Sequence, residues 1–248
     1  MINAIKNWFA EFGHDLHRVF IVDERWKWIF EGLLNTLIIT AGALVIGIVI
    51  GILIAAVRSS YDKNYEALKM RGGTGYTVLS ILNWLAKGYI TIIRGIPMVV
   101  QLLLWYFVFL KFMRESIPVA IIAFGVNSGA YVAEIFRSGI MSIDQGQFEA
   151  GRSLGFNYFQ TMRHVIIPQA FKVVLPTLCS EFIVLIKETS IAGYVGIMDL
   201  TKAGDLIRGR TFEAFMPLIA VAIVYLLLVM LLTWLVGKLE RRLRKSER

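Results

Sequence analysis

Five long apolar runs constrain this chain more than any other feature of its sequence. The clearest covers residues 215–236, and the others cover residues 37–57, 89–112, 117–136 and 165–194. A bilayer core about 30 Å thick needs about 20 apolar residues in each helix that crosses it. With 57% hydrophobic and only 18% charged residues, the chain carries more apolar material than a soluble domain needs. The sequence therefore predicts an all-α integral membrane protein with about five transmembrane helices.

Three segments are expected along the chain. Residues 1–28 favour an amphipathic segment at the membrane interface, and they lack the pattern of a cleavable signal. The apolar positions that recur there at helical spacing are Ile2, Ile5, Phe9, Phe12, Leu16 and Phe20. Residues 29–240 are expected to form the transmembrane domain, and residues 241–248 a basic tail.

Turn-forming and small residues predict the connections within the transmembrane domain. Residues 59–77 are expected to form a polar connection with a glycine-rich turn, and residues 195–211 a loop. Gly95 and Pro97 predict a bend, because proline removes a backbone donor and crowds the preceding turn. The small or polar residues 127–130 predict close approach of another helix.

The net charge of +8 is interpreted as a sign of membrane topology. Basic residues concentrate after the first run, around residues 137–172 and in the tail, and five spans would place all three regions on one side. The positive-inside rule makes that side cytoplasmic, with the N-terminus outside and the C-terminus inside. This distribution argues against a nucleic-acid partner. The single cysteine, Cys179, excludes an internal disulfide and gives no support to a thiolate metal site.

A polar stretch between two of the runs has a fixed internal spacing. Glu149, Ala150 and Gly151 are followed after three residues by Gly155, and nine residues later by an apolar run that ends at Pro168. This pattern resembles the EAA loop of permease subunits of ABC importers, with glycine in place of the second alanine. The resemblance implies a cytoplasmic coupling loop at about residues 141–166, in which two short helices meet at a turn.

In that family the loop docks into a cleft on the ATPase subunit. The resemblance assigns ATPase coupling to five residues: Glu149, Ala150, Arg152, Leu154 and Gly155. A turn at Gly155 would let the short helices meet at an angle, and the apolar side chains could fill a groove. The alternative is a helical hairpin that packs only on its own membrane domain.

The resemblance covers nearly all of residues 89–201. Residues 89–107, 127–140 and 181–201 look like the polar-amino-acid branch of these permeases, whereas the N-terminal segment and residues 59–77 look individual. The family implies an amino-acid substrate and a place in the bacterial plasma membrane. It also implies two ATPase subunits, an extracytoplasmic solute-binding protein and a second permease copy, identical or not.

Two carboxylates in the fourth run are the main substrate candidates. Glu181 and Glu188 are seven residues apart, which places them about 20° apart around one helix. Charges inside a span usually face an aqueous path or a partner, and two carboxylates could hold a guanidinium or ammonium group. Relatives that handle arginine place acidic groups at these positions. The alternative is that both residues pair with basic groups, Lys187 among them.

Arg94 is the candidate for binding the α-carboxylate of an amino acid, because its planar fork matches a carboxylate. An arginine that extends to lipid phosphates is the alternative. Neutral candidates along the path are Asn127, Ser128 and Tyr131, although such residues also serve helix packing. Glu134 and Arg137, at i and i+3, are expected to pair with each other.

Other classes of function fit the sequence less well. His14, His17 and His164 lie outside the runs, no nucleophile has a base at motif spacing, and no phosphate-binding P-loop is present. We therefore expect a non-catalytic subunit with no cofactor or metal. A secondary transporter or channel that uses Glu181 and Glu188 would leave the patterned loop unexplained. The preferred cargo is a cationic amino acid (arginine, lysine or histidine), with glutamine or cystine as the alternative.

Overall fold

The computed structural model of the chain describes residues 13–245, without the side chains of residues 64, 66–68, 71, 244 and 245. The α-helices are α1 (Trp26–Arg71), α2 (Thr74–Gly95), α3 (Met98–Leu104), α4 (Ser116–Met141), α5 (Gln145–Ser153), α6 (Tyr158–Thr161), α7 (Ile167–Glu188), α8 (Leu200–Thr211) and α9 (Phe215–Lys245). The π-helical turns are His17–Ile21, Trp105–Phe109 and Met162–Ile166, and the 3-10 turns are Val22–Glu24 and Thr189–Val195. No strand occurs in this part of the chain.

The prediction of an all-α membrane protein with five spans is confirmed. Within residues 13–245, the stretches long and apolar enough to cross a membrane are Trp26–Lys63, Thr74–Gly95, Ser116–Met141, Tyr158–Val195 and Phe215–Leu243. A shorter apolar stretch, Met98–Phe109, follows the second of them. The second span was therefore placed too late at residues 89–112, because the polar residues in the first half of α2 hid the start of the helix.

Two expected connections are largely helical. Helix α1 continues through most of residues 59–77, and the predicted turn is confined to Gly72 and Gly73, whose φ angles are positive. Residues 195–211 were expected to form a loop, yet α8 occupies most of them. Polar composition did not prevent a helix in either place, because the polar face of a helix that extends beyond the apolar layer remains solvated.

Helices α1 and α4 form the closest packed pair of the bundle. A Cβ atom added at Gly51 would lie 2.4 Å from Val132 Cγ1, and one added at Gly129 would lie 2.9 Å from Ile50 Cγ2. Ser128 and Ala130 are fully buried beside them. The expected close approach around residues 127–130 is thus confirmed, since small side chains let two backbones pack at short distance.

The central core joins four helices near the break between α2 and α3. Its members include Ile39 of α1, Leu102 of α3, Phe124 of α4 and Leu185 of α7, all fully buried. Leu185 attaches α7, the helix that carries Glu181 and Glu188, to this core. The core therefore holds the candidate substrate residues on a fixed scaffold.

The bend expected at Gly95 and Pro97 is present. Ile96 is extended (φ −106°, ψ 130°), as the residue before a proline prefers. The buried Gln101 side chain donates through Nε2 to the Ile93 and Ile96 carbonyls at 2.7 and 2.8 Å. Gln101 thus satisfies backbone acceptors that the broken helix leaves without partners.

Helix α8 lies at the end of the bundle opposite the coupling loop and begins at Asp199. The Asp199 carboxylate accepts hydrogen bonds from the backbone N–H groups of Thr201 and Lys202, at 3.1 and 3.0 Å. Its side chain is buried against α1, where a Cβ added at Gly32 would lie 2.6 Å from the Asp199 carbonyl oxygen. Burial raises the pKa of Asp199 to about 6, and the N–H donors oppose that rise only in part. Asp199 fixes the start of α8 on the bundle.

Both termini lie partly beyond the described residues. Of the six apolar positions in the expected amphipathic segment, Ile2, Ile5, Phe9 and Phe12 are outside them, as are the last three residues of the basic tail. Within the described part, Leu16 is exposed and Phe20 is half-buried. The segment joins α1 through a turn at which the Arg25 guanidinium donates to the Arg18 carbonyl at 2.9 Å.

Candidate functional site

The two carboxylates of α7 lie on one stripe of the helix and open into different cavities. The first cavity, about 510 Å³, is lined by residues that include Tyr131, Glu134, Ser180, Glu181 and Val184. The second cavity, about 490 Å³, is lined by residues that include Pro97, Met98, Val184, Lys187 and Glu188. Val184 lies between Glu181 and Glu188 along the stripe and contributes to both cavities.

Glu181 faces α4. The hydroxyl of Ser128 donates to Glu181 Oε1 at 3.4 Å, and Glu181 also lines the first cavity. The predicted candidates Ser128, Tyr131 and Glu181 are therefore brought together. Glu188 lies about two turns of α7 beyond Glu181, with Val184 between them. It lines the second cavity beside Lys187.

Arg94, at the end of α2, is held at the edge of the first cavity. Its guanidinium forms an ion pair with Glu134, and its central carbon lies 5.1 Å from the centre of the Tyr131 ring. Both partners of the ion pair are partly exposed. Arg94 thus contacts Glu134 and Tyr131, which line the first cavity together with Glu181.

The pairing of Glu134 with Arg137 is wrong. Glu134 binds Arg94 of α2, and Arg137 Nη1 donates to Asp62 of α1 at 2.9 Å. Helix α2 supplies a positive charge on one side of α4 and helix α1 a negative charge on the other. The side chains of Glu134 and Arg137 therefore point to different partners. An i, i+3 ion pair on a helix stabilises it by at most about 0.5 kcal/mol. The ion pairs with Arg94 and Asp62 on neighbouring helices form instead.

Asn127 lies away from both cavities. Its side-chain oxygen accepts from Gln101 Nε2 at 3.3 Å, and both residues are buried. Asn127 therefore supports the break between α2 and α3, which is the packing alternative for a polar residue in a span.

The coupling loop has the two short helices and the turn that the resemblance implies. Helix α5 begins at Asp144, which accepts from the Gly146 N–H at 2.7 Å, and α6 begins with a capping box between Asn157 and Gln160. The chain turns between the helices at Gly155, whose φ of 80° is the left-handed conformation that favours glycine.

One face of the coupling loop packs inward and the other is open. Phe148 is buried with Ile140, Ile166 and Ala170 at the ends of α4 and α7. On the open face, Leu154 is 73% exposed and Phe159 is 70% exposed. The candidates Glu149, Ala150 and Arg152 are also exposed. Large exposed apolar side chains between polar ones are typical of a surface that binds a partner.

Comparison with known proteins shows the family. Residues 73–245, well over half of the chain, match the family described as the inner membrane component of binding-protein-dependent transport systems. The chain belongs to this family. The permease is therefore a membrane component of an ABC transporter for amino acids, a non-catalytic subunit that works with a separate ATPase and with a binding protein.

Individual relatives cover almost the whole permease. The putative glutamine transport system permease GlnP of Rickettsia bellii is 37% identical over 218 residues, which are 87% of this chain and 92% of that protein. The arginine transport system permease ArtQ of Bacillus subtilis is 33% identical over 222 residues, which are 88% of this chain and 94% of that protein.

Solved structures share the fold. The crystal structure of an amino acid ABC transporter with histidines aligns with a TM-score of 0.77 and 38% identity, over 90% of this chain and 98% of that one. The MetNI methionine transporter in an inward-facing conformation aligns with a TM-score of 0.73, over 88% of this chain and 97% of that one. At 21% identity the MetNI comparison concerns the fold alone.

The glycine in place of the second alanine of the loop motif has a structural cause. A Cβ atom at Gly151 would lie 2.6 Å from Thr161 Cγ2 and 2.8 Å from Thr161 Oγ1. Thr161 is buried, and its hydroxyl donates to the Asn157 carbonyl at 3.1 Å. In this permease α5 and α6 therefore approach too closely for alanine.

Sequence reasoning missed several residues that build these sites. Phe148, which anchors the coupling loop, precedes the motif by one position. Its aromatic side chain in a polar stretch was the only feature of the sequence that indicated a buried anchor. Gln101 could have been found as a lone amide one turn after Pro97 in an apolar run. Asp62 and Lys63 had no signal, because their partners lie more than 70 residues away.

Proposed function

We propose that the permease imports a cationic amino acid, arginine or lysine before histidine. The observation that carries this proposal is the stripe on α7, where Glu181 and Glu188 each open into a cavity. A half-buried carboxylate without a cationic partner costs several kcal/mol, about 2 or more. A bound guanidinium or ammonium group offsets that cost, whereas a neutral side chain does not. A neutral amino acid would therefore bind more weakly than a cationic one.

Arg94 is proposed to bind the α-carboxylate of the cargo. Arg94 is paired with Glu134 and lies 5.1 Å from the centre of the Tyr131 ring, and both of these residues line the first cavity. A free cationic amino acid carries an α-carboxylate and a positively charged side chain. Its α-carboxylate would replace Glu134 as the partner of Arg94, while its side chain approaches Glu181. Tyr131 lines the same space as a neutral hydrogen-bonding group, and the buried Ser128 donates to Glu181 from behind it.

Glutamine is the second candidate, and Lys187 is the observation that favours it. The ammonium group of Lys187 lines the second cavity next to Glu188 and could already neutralise one carboxylate. The relatives support both cargoes, since one is a putative glutamine permease and another an arginine permease.

The assembly is proposed from the same features. The coupling loop faces the cytoplasm and receives an ATPase on the exposed face around Leu154 and Phe159, so the N-terminus lies outside and the C-terminus inside. Both cavities are open at the surface of the chain, and we infer that a second permease copy, identical or related, covers them. Two ATPases and one binding protein complete the transporter.

Transport by the reconstituted complex tests the cargo. Vesicles that contain the permease, its ATPase and its binding protein are assayed for ATP-driven uptake of labelled arginine and glutamine. Glu181→Gln should reduce arginine uptake about tenfold and glutamine uptake far less. Glu31→Gln is the matched control, because Glu31 is exposed and lines neither described cavity. Equal loss of both cargoes in Glu181→Gln would show that this carboxylate supports the fold.

A further inference from the structure

The last turns of α1 contact the coupling loop and the end of α4. The segment belongs to residues 59–77, the part of the transmembrane domain that the loop motif and its flanking patterns leave unassigned. Two consecutive side chains make these contacts. The Asp62 carboxylate accepts from Arg137 Nη1 at 2.9 Å, and Lys63 Nζ donates to Gln145 Oε1 at 3.1 Å.

Lys63 has a second contact, with the anchor of the coupling loop. Its ammonium group lies 4.4 Å from the centre of the Phe148 ring, within the range of a cation–π interaction. Phe148 is 5% exposed and packs with Ile140 of α4 and with Ile166 and Ala170 near the start of α7. Phe148 thus connects α5 with α4 and α7, and through Lys63 it also contacts α1.

Neighbouring residues of a helix point about 100° apart. Asp62 and Lys63 can thus reach two different elements from a single turn of α1. Asp62 fixes the distance between α1 and α4 at this end, and Lys63 fixes α5 against the same turn. Partly exposed pairs of this kind add little to stability, so their importance lies in the geometry that they hold.

We propose that Asp62 and Lys63 are positioning residues for coupling, through which a displacement of α5 moves α1 and α4 together. Without them α5 could shift against the bundle, and ATP would be hydrolysed without movement of the spans. The inference rests on the proposed docking of the ATPase at the coupling loop.

The test measures how many ATP molecules are hydrolysed for each amino acid imported by the complete complex in vesicles. Lys63→Met keeps the length and apolar body of the side chain and removes its charge, and it should raise this ratio about threefold or more. Lys63→Arg should restore the ratio, because it keeps the charge. Lys69→Met is the matched control, since Lys69 lies on the same helix and contacts Tyr65 instead of the coupling loop.

A charge exchange tests the second contact. Asp62→Arg and Arg137→Asp should each raise the ratio, and the double variant should bring it back toward the unsubstituted value. Co-purification of the ATPase with every variant shows that assembly is intact.

The outcomes separate the two proposals. An assembled Lys63→Met complex with an unchanged ratio, or a double variant no better coupled than the single ones, overturns this inference and leaves the proposed function standing. A complex of the unsubstituted permease that binds no ATPase overturns the proposed function and this inference with it.

Discussion

The coupling loop is built from neighbours in sequence, whereas the two cavities are built from helices far apart in the chain. In the loop, Asp144 caps α5 from two residues away, and Asn157 and Gln160 cap α6. At the first cavity, Arg94 meets Glu134 across 40 positions and Ser128 meets Glu181 across 53. The coupling loop can therefore keep its shape when residues of the cavities are substituted, and such substitutions can alter which amino acid is transported.

We propose separate tasks for the coupling loop and the cavities. The coupling loop presents a shape that depends on a turn and two caps, so its substitutions should affect every cargo equally. The cavities present charges held by a packed core, so their substitutions should affect one cargo more than another.

The largest expected effect is at the turn of the coupling loop. Gly155→Val forces a β-branched residue into a φ of 80°, at a cost of about 1–3 kcal/mol. ATP-driven uptake of all cargoes should fall about tenfold or more, with membrane insertion intact. Uptake and ATPase activity in reconstituted vesicles provide the measurement.

Gly237→Val is the control for that substitution, because Gly237 lies in α9 with open space around it. Full substrate-stimulated ATPase activity in Gly155→Val would show that the turn plays no part in coupling.

The next effect concerns the boundary between the cavities. Val184 contributes to both, so Val184→Phe should reduce the space in each cavity and lower uptake about fivefold. Assembly with the ATPase and hydrolysis without cargo should stay unchanged, because the substituted residue is remote from the coupling loop.

Val45→Phe makes the same change at an exposed valine of α1 and should leave uptake normal. If Val184→Phe transports as well as the unsubstituted permease, the cargo does not pass along the α7 stripe.

The smallest effect concerns the fit between α5 and α6. Gly151→Ala places a methyl group 2.6 Å from Thr161 Cγ2 and should destabilise the loop by about 1 kcal/mol. A partial loss of coupling, with the arginine-to-glutamine uptake ratio unchanged, is the expected result. Thr161→Ala in the same chain removes the crowding atoms and should recover most of the activity. Failure of that rescue would mean that contact with Thr161 is not what requires glycine.

The same division explains what the sequence predicted. The break before Pro97 followed from local backbone chemistry, whereas the turn at Gly155 and the two short helices beside it were expected from the resemblance of the loop motif. The spans followed from apolar length. Helix α8 was missed although its cap is local, because Asp199 accepts from the nearby Thr201 and Lys202 N–H groups. Only its packing against Gly32 depends on a residue far away in sequence.

Long-range partners account for the other differences. Spacing alone suggested that Glu134 pairs with Arg137, and the neighbouring helices supplied Arg94 and Asp62 instead. That Glu181 and Glu188 share a stripe followed from helical periodicity. Their separation into two cavities did not, because Pro97 and Met98 of another segment form part of the second cavity.

One measurement tests the division of tasks most directly. The ratio of arginine uptake to glutamine uptake is determined in the same reconstituted complex for Leu154→Asp, on the open face of the coupling loop, and for Glu181→Gln, in the first cavity. We predict that Leu154→Asp lowers both uptakes and ATPase binding with an unchanged ratio, and that Glu181→Gln lowers the ratio with ATPase binding intact. A changed ratio in Leu154→Asp together with an unchanged ratio in Glu181→Gln would contradict the account.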